Sequence, residues 1–237
     1  MAEAESSDSP ALRADALSRY LFQRVLVDWW YNYGRLFPWR RFDQDPYHIF
    51  VAEFLVRRTT AVAASRVYLG FLAQYPRLSD TAAASVASLE RVLAPIGLCH
   101  QRAVGIRCAA SHILDHYGTI PSDLRQLESV PNLGPYSARA ILSFAFGKPY
   151  AVVDSNVTRI VSRYLLTPKP SLALVQQFVD SVVPKKNHQV YNWAMLDLGA
   201  VICRYSSPKC SVCPLINGCK QGLPLVSGAN CFQYSPG

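Results

Sequence analysis

The pattern of apolar residues constrains the fold of this chain more than any other feature. From Ala14 onward, apolar side chains recur at helical spacing, as at Leu21, Val25 and Trp29, and no strand-like alternation persists anywhere. Proline residues divide this pattern into segments of roughly 8 to 20 residues, which is the usual length of globular helices. The pattern therefore predicts an all-α fold.

The charge of the chain indicates which class of partner to consider first. Its 237 residues include 24 Lys and Arg against 16 Asp and Glu, a formal net charge of +8. A basic excess attracts polyanions, so nucleic acid is the first candidate, although basicity also serves solubility alone. No apolar stretch approaches the roughly 20 residues needed to cross a bilayer, and residues 1–12 lack the features of a secretory signal. We expect a soluble intracellular protein.

Cysteines near the C-terminus predict a metal centre. Four of them form the pattern C-x6-C-x2-C-x5-C, at Cys203, Cys210, Cys213 and Cys219. So many soft thiolates in a chain without an export signal are typical of metal ligation rather than of disulfides. Four thiolates alone fit zinc and an iron–sulfur cluster equally well. The other cysteines are expected to be reduced thiols: Cys99, Cys108 and Cys231.

A tight turn between two helices is a candidate phosphate contact. Residues 127–146 read as a helix end, the turn 131–134 and a second helix from about Tyr136. Gly134 can adopt a positive φ and has no side chain, so backbone N–H groups around it can approach a phosphate, helped by the helix that follows. An ordinary helix–turn–helix connection explains the same residues.

Two carboxylates stand out by their positions. Asp154 ends an apolar run and starts a helix, where an N-cap role would by itself explain it. Glu53 lies among apolar residues on an amphipathic helix, and burial raises the pKa of a carboxyl as a general acid requires. Pairing with a nearby arginine is the alternative for Glu53.

These segments together resemble the helix-hairpin-helix DNA glycosylases. Residues 130–138 look like the L-P-G-V-G-x-x-T-A hairpin of endonuclease III and MutY, with Asn132 where the family usually has glycine. Residues 150–163 resemble the V-D-x-N-V-x-R-V segment, whose Asp is essential in the family. Residues 53–60 resemble E-x-x-x-Q-Q-T of MutY, and more closely E-x-x-x-R-R-T-T of relatives acting on thymine in G·T mismatches. The cysteine spacing matches the [4Fe-4S] loop, so the resemblance favours that cofactor over zinc.

The resemblance covers most of the chain and implies its organisation. It predicts two helical lobes with a DNA-binding cleft between them, and by family default a monomer that acts on double-stranded DNA. The predicted parts are a six-helix barrel with the hairpin at 38–148, an iron–sulfur lobe of 14–37 plus 149–221, and loosely held tails at 1–13 and 222–237.

The resemblance also implies catalytic roles for three residues. Asp154 would stabilise the positive charge that develops on the sugar and orient a water. Glu53 would contact the flipped base or help it leave. Tyr136 stands where bifunctional members carry a lysine that forms a Schiff base, so a monofunctional enzyme without lyase activity is implied. Plain packing at a helix start is the alternative for Tyr136.

Further residues are predicted to contact DNA. A base taken out of the stack leaves a gap that must be filled, and the resemblance makes Arg58 a candidate wedge, with three residues on the opposite side of the groove. Solvation or phosphate contact is the alternative for Arg58. The predicted DNA contacts are Arg58, Leu98, Gln101 and Arg102, with Asn132 and Gly134 of the hairpin.

The predicted substrate follows from the same resemblance. The combination of Glu53, residues 57–60 and Tyr136 favours thymine or uracil opposite guanine. Adenine, another deaminated or damaged base, and a DNA-binding protein without catalysis are the alternatives. Because the chain ends soon after the cysteines, we expect no equivalent of the domain with which MutY recognises oxidised guanine, which speaks against adenine. We expect the protein to associate with DNA in the cell.

Overall fold

All regular elements in the described residues are helical, which confirms the predicted all-α fold. The computed structural model describes residues 16–42, 44–222 and 224; Cys231 and most of the predicted tails lie outside this range. The helices are α1 (Ala16–Tyr33), α2 (Pro46–Leu55), α3 (Ala61–Gln74), α4 (Leu78–Ala83), α5 (Val86–Leu93), α6 (Cys99–Tyr117), α7 (Leu124–Ser129), α8 (Pro135–Phe144), α9 (Ser155–Leu165), α10 (Leu172–Val182) and α11 (His188–Val201). Short 3-10 turns occupy Ala94–Ile96, Cys210–Val212 and Ile216–Gly218. Among the described residues, no helix has the length and apolar character needed to cross a membrane.

Local sequence signals explain where several helices begin. Pro46 and Pro135 occupy the first turns of α2 and α8, where the missing N–H costs nothing. Side-chain oxygens accept a backbone N–H at the starts of six helices, and each such cap stabilises its helix by about 1 kcal/mol. These capping residues are Asp45, Thr60, Ser85, Asp123, Asp154 and Ser171.

The chain divides into two compact units, with boundaries between Gly34 and Arg35 and between Tyr150 and Ala151. The internal unit contains α2 to α8. Within it, α6 packs against α4, α5 and α2, and α2 also packs against α3 and α8. Phe50, Ile106 and Ile141 are at most 1% exposed in its core.

The other unit combines the N-terminal helix with the last third of the described chain. In it α11 packs against α1 and α9, and α10 packs against α1 and α9. Trp193 is fully buried, and the Trp30 indole nitrogen donates a hydrogen bond of 3.2 Å to the buried Asp197 carboxylate. The cysteine segment follows α11 directly, so this core supports the start of that segment.

Candidate functional site

The hairpin turn has one left-handed residue, at the position where the family usually has glycine. Asn132 has φ of 62°, whereas Gly134 has φ of −76° and caps the N-terminus of α8. Gly134 can adopt a positive φ, but this turn does not require it to. Asparagine tolerates the left-handed region better than most side chains, so the turn forms even though Asn132 replaces the usual glycine.

Gly134 lies at an open surface at the start of α8. It is exposed, and a Cβ added there would meet no atom of the described chain within 4 Å. Its backbone angles are open to any residue, so neither packing nor conformation requires glycine. The start of a helix carries a partial positive charge and backbone N–H groups that point outward. This end of α8 can therefore receive an anion at close range.

Glu53 is buried in the internal unit, as the sequence predicted. It lies in the last turn of α2 and is 6% exposed. Arg57 follows one helical turn later, half-buried; burial lowers the pKa of its guanidinium, while the nearby Glu53 raises it. This electrostatic interaction is the arginine pairing that the sequence left open as an alternative for Glu53.

Tyr136 lies at the other functional segment of the same unit. It is partly exposed in the first turn of α8, directly after Gly134 and Pro135. The adjacent Ser137 is buried, and its hydroxyl accepts a hydrogen bond of 3.2 Å from Arg57. Tyr136 therefore belongs to the same helix end that is open to an anion.

Two predicted wedge residues occupy exposed, left-handed positions. Arg58 has φ of 49° and is exposed after the end of α2. Leu98 has φ of 51°, follows Gly97 with φ of 70°, and is 43% exposed. A leucine in this region costs about 1 to 2 kcal/mol, and strained residues of this kind cluster at functional sites. Gln101 is exposed in the first turn of α6 nearby.

Arg102 has a structural role rather than the predicted DNA contact. It is 6% exposed, and its Nε donates to the Gly97 carbonyl at 2.9 Å. Its other nitrogens donate to the carbonyls of Phe54, at 2.7 Å, of Leu55 and of Arg57. The guanidinium thus satisfies carbonyls at the end of α2 that have no partner within the helix, and we correct the prediction accordingly.

Asp154 lies in the other unit and caps α9. One carboxylate oxygen accepts the Val157 N–H at 2.8 Å, and the other accepts the Asn156 side-chain amide at 2.8 Å. The N-cap interpretation is therefore correct as far as it goes. Because both oxygens are held, the side chain has a fixed direction and presents its charge at the start of a helix.

A chain of hydrogen bonds leads from Asp154 to the cysteine segment. Arg159 donates to the Asn156 side-chain oxygen at 2.8 Å, to the Gly199 carbonyl at 2.7 Å and to the Cys203 carbonyl at 2.8 Å. Burial lowers the pKa of Arg159, and the nearby Cys203 and Asp154 oppose that effect. A Cβ on Gly199 would lie 2.4 Å from the Asn156 Cβ, so glycine allows α11 this close approach.

The four predicted ligand cysteines line one recess. Cys203, Cys210, Cys213 and Cys219 line it together with largely apolar side chains, and it is partly open to solvent. Burial, with smaller contributions from the three other thiols, raises the pKa of the Cys213 thiol to about 12. Among the described residues, no three His, Cys, Asp or Glu side chains are grouped so that they could hold a metal ion.

Thiolates are the usual ligands of iron–sulfur clusters and also bind zinc. All four predicted ligands line the same recess, and the rest of its wall is mostly apolar. Arg163 donates to the Cys203 sulfur at 3.4 Å and to the carbonyls of Arg204 and Tyr205, so it also orders this segment.

Sequence reasoning missed three residues that hold the candidate site. Arg57 connects the end of α2 to the hairpin, and Asn156 and Arg159 hold Asp154. The signal for Asn156 and Arg159 was present, because both belong to the segment that carries the family resemblance. Arg57 also lies in a segment that carries the resemblance, residues 53–60, but an arginine beside Arg58 was equally consistent with a solvated or phosphate-facing charge.

Comparison with known proteins identifies the relatives of this chain. Residues 51–185 match the family described as HhH-GPD superfamily base excision DNA repair protein. The thymine/uracil-DNA glycosylase of Pyrobaculum aerophilum is 32% identical over 206 residues, 83% of this chain and 89% of that protein. The thymine-DNA glycosylase of Aeropyrum pernix is 35% identical over 206 residues, 83% of this chain and 92% of that protein. A solved thermostable thymine-DNA glycosylase superposes with a TM-score of 0.82 at 29% identity, covering 88% of this chain and 99% of the other.

Proposed function

Because this chain belongs to the HhH-GPD superfamily of base excision DNA repair proteins, we propose that it is a DNA glycosylase that removes thymine or uracil opposite guanine. The observation that carries this proposal is the fixed carboxylate of Asp154 at the start of α9. Cleavage of an N-glycosidic bond develops positive charge on the sugar, and a held carboxylate stabilises that charge without reorganising. The names of its relatives support the choice of base.

The internal unit supplies the grip on DNA and the base pocket. The end of α8 at Gly134 binds a backbone phosphate through N–H groups, which positions the duplex without reading its sequence. The target base leaves the stack, and Arg58 and Leu98 fill the gap from their exposed positions. Glu53 contacts the extruded base or donates a proton to it as it leaves.

The reaction ends at an abasic site without strand cleavage. Tyr136 has no amine and forms no Schiff base with the sugar, so water, oriented by Asp154, attacks the sugar instead. The phenol of Tyr136 packs against the sugar or its phosphate from the first turn of α8. The enzyme is therefore monofunctional, and we propose that it acts on double-stranded DNA as a monomer, the family default.

We also propose that Cys203, Cys210, Cys213 and Cys219 hold a [4Fe-4S] cluster. Their common recess and its mostly apolar wall support this ligand set. When bound, the cluster supplies a structural crosslink between the four thiolates. Arg163, through its bonds to the Arg204 and Tyr205 carbonyls, holds the segment from the other side. Iron and sulfide analysis of aerobically and anaerobically purified protein, with Cys203→Ser as the control, tests this assignment against zinc.

Duplexes with a single defined pair test the proposed activity. Labelled duplexes holding G·T, G·U, A·G, A·oxidised-G or an inosine pair are incubated with protein, and strand breakage is compared with and without hot alkali. Alkali-dependent breakage at T or U opposite G, absent in Asp154→Asn, is expected. Breakage at adenine contradicts the substrate, and binding without breakage on every pair contradicts the enzyme. A covalent adduct after borohydride treatment contradicts the role given to Tyr136.

A further inference from the structure

Two arginines in the internal unit connect the segments that we expect to contact DNA. Arg57 stacks on Phe54, with its guanidinium carbon 4.1 Å from the ring centroid. From there it donates to the Asn132 carbonyl at 2.5 Å and to the Ser137 hydroxyl at 3.2 Å. One side chain therefore joins the end of α2 to both the hairpin turn and the first turn of α8.

Arg102 extends the connection to a third segment. It donates to the Gly97 carbonyl, directly before the exposed Leu98, and to the carbonyls of Phe54, Leu55 and Arg57. Arg57 therefore takes part in both sets of hydrogen bonds. Its side chain donates to the hairpin turn and to α8, and its backbone carbonyl accepts from Arg102. Three segments converge there, namely residues 56–60, 97–98 and 131–134, and each carries a predicted DNA contact.

Both guanidinium groups are partly removed from water. Burial lowers the pKa of both, and Arg57 also lowers that of Arg102 because the two charges repel, while the nearby Glu53 raises that of Arg57. Apolar side chains of similar volume could fill such a space without that repulsion. The planar fork of arginine, however, fixes several acceptors in one geometry, which neither an apolar side chain nor lysine does.

We propose that Arg57 and Arg102 are positioning residues that hold the hairpin turn, the Arg58 segment and the Leu98 segment in one fixed arrangement. This inference rests on the proposed function of these segments. When Arg57 and Arg102 hold these three segments, phosphate binding at Gly134 determines where Arg58 and Leu98 enter the duplex and where the extruded base meets Glu53. Errors of about 1 Å in such positioning can slow catalysis by about a hundredfold.

The test compares Arg57→Met and Arg57→Lys with Arg66→Met, which removes the same charge from an exposed position on α3 of the same unit. Ser137→Ala, which removes a single acceptor, serves as a mild variant that keeps the fold. Amide hydrogen exchange is measured on the free protein, and affinity is measured on an undamaged duplex. The rate of base excision is measured in single turnover at saturating protein, so that weak binding does not enter it.

We expect Arg57→Met to speed exchange in residues 130–134 by at least about tenfold over Arg66→Met. We also expect its saturated excision rate to fall by about 10- to 100-fold, with Arg57→Lys and Ser137→Ala in between. If Arg57→Met exchanges its amide hydrogens faster but excises the base as fast as Arg66→Met does, the proposal is overturned, because the Arg57 contacts then serve only the fold. A slower rate with unchanged exchange overturns it as well, since it indicates direct contact with DNA.

Failure of the proposed function gives a different result. If the wild-type protein removes no base from any duplex, the glycosylase proposal fails. Amide hydrogen exchange and duplex affinity still test the positioning role of Arg57 and Arg102. Arg57→Met that matches Arg66→Met in both exchange and affinity then excludes a positioning role. Faster exchange together with at least about tenfold weaker duplex binding supports it, because misplaced loops lose phosphate contacts.

Discussion

Replacing Asn156 by alanine removes one of the two hydrogen bonds that hold the Asp154 carboxylate. The Asn156 amide donates to Asp154 at 2.8 Å, while the Val157 N–H continues to cap the helix from the other oxygen. The variant therefore loses the side-chain bond without losing the cap. Arg159 also loses its bond to the Asn156 oxygen but keeps those to two backbone carbonyls.

The expected effect follows from the strength of the lost bond. A hydrogen bond to a charged group contributes about 1.5 to 3 kcal/mol, and each 1.36 kcal/mol of transition-state stabilisation changes a rate about tenfold. If the bond matters fully in the transition state, excision slows by about 10- to 150-fold. Affinity for the duplex should change little, because Asn156 lies beside the carboxylate and not on a predicted phosphate contact.

Single-turnover excision on a G·T duplex at saturating protein measures this effect. Asn32→Ala is the matched control, because the Asn32 amide also donates a bond of 2.8 Å, to the Asp28 carbonyl on the exposed side of α1. An Asn156→Ala rate within twofold of the Asn32→Ala rate would refute the view that a fixed carboxylate direction matters. A parallel thermal melt shows whether a slow variant is merely unfolded.

Three further outcomes are expected. Gly199→Ala should lower the excision rate by pushing Asn156 away, since the new Cβ would lie 2.4 Å from the Asn156 Cβ; a wild-type rate contradicts this. The buried Tyr191 hydroxyl has no hydrogen-bond partner among the described residues. Tyr191→Phe should therefore leave the free energy of unfolding, measured by urea titration, unchanged or raise it by up to about 1 kcal/mol. A clear loss of stability contradicts this. Leu98→Gly should raise the melting temperature, because glycine relieves about 1 kcal/mol of strain at this left-handed position, and it should lower the excision rate. A fall in both the melting temperature and the rate would show that Leu98 serves packing.

Periodicity and proline positions were enough to predict the helical fold. The same periodicity, applied to α6, could have corrected one site prediction. Arg102 lies four residues before Ile106 and eleven before Ile113, on the buried face of that helix. The resemblance gave Gln101 and Arg102 the same role, but consecutive residues of a helix point in different directions, so Gln101 is exposed and Arg102 is buried.

The hairpin shows why local sequence does not determine every backbone angle. A Pro-Asn-Leu-Gly turn offers two residues that tolerate a positive φ, and the local sequence does not say which of them adopts it. The turn uses Asn132, whose carbonyl is held by Arg57 from 75 residues away along the chain. Such a distant partner leaves no trace in the local pattern.

The double duty of Asp154 limits how the chain can change over evolution. The same carboxylate caps α9 and has the proposed catalytic role, so we expect a substitution to alanine to remove both the proposed catalysis and about 1 kcal/mol of helix stability. Asparagine, serine and threonine preserve the cap. Descendants that abandoned base removal but kept a folded, DNA-binding protein should therefore carry one of these three residues at position 154, and a survey of diverged sequences at that position would separate lost chemistry from lost structure.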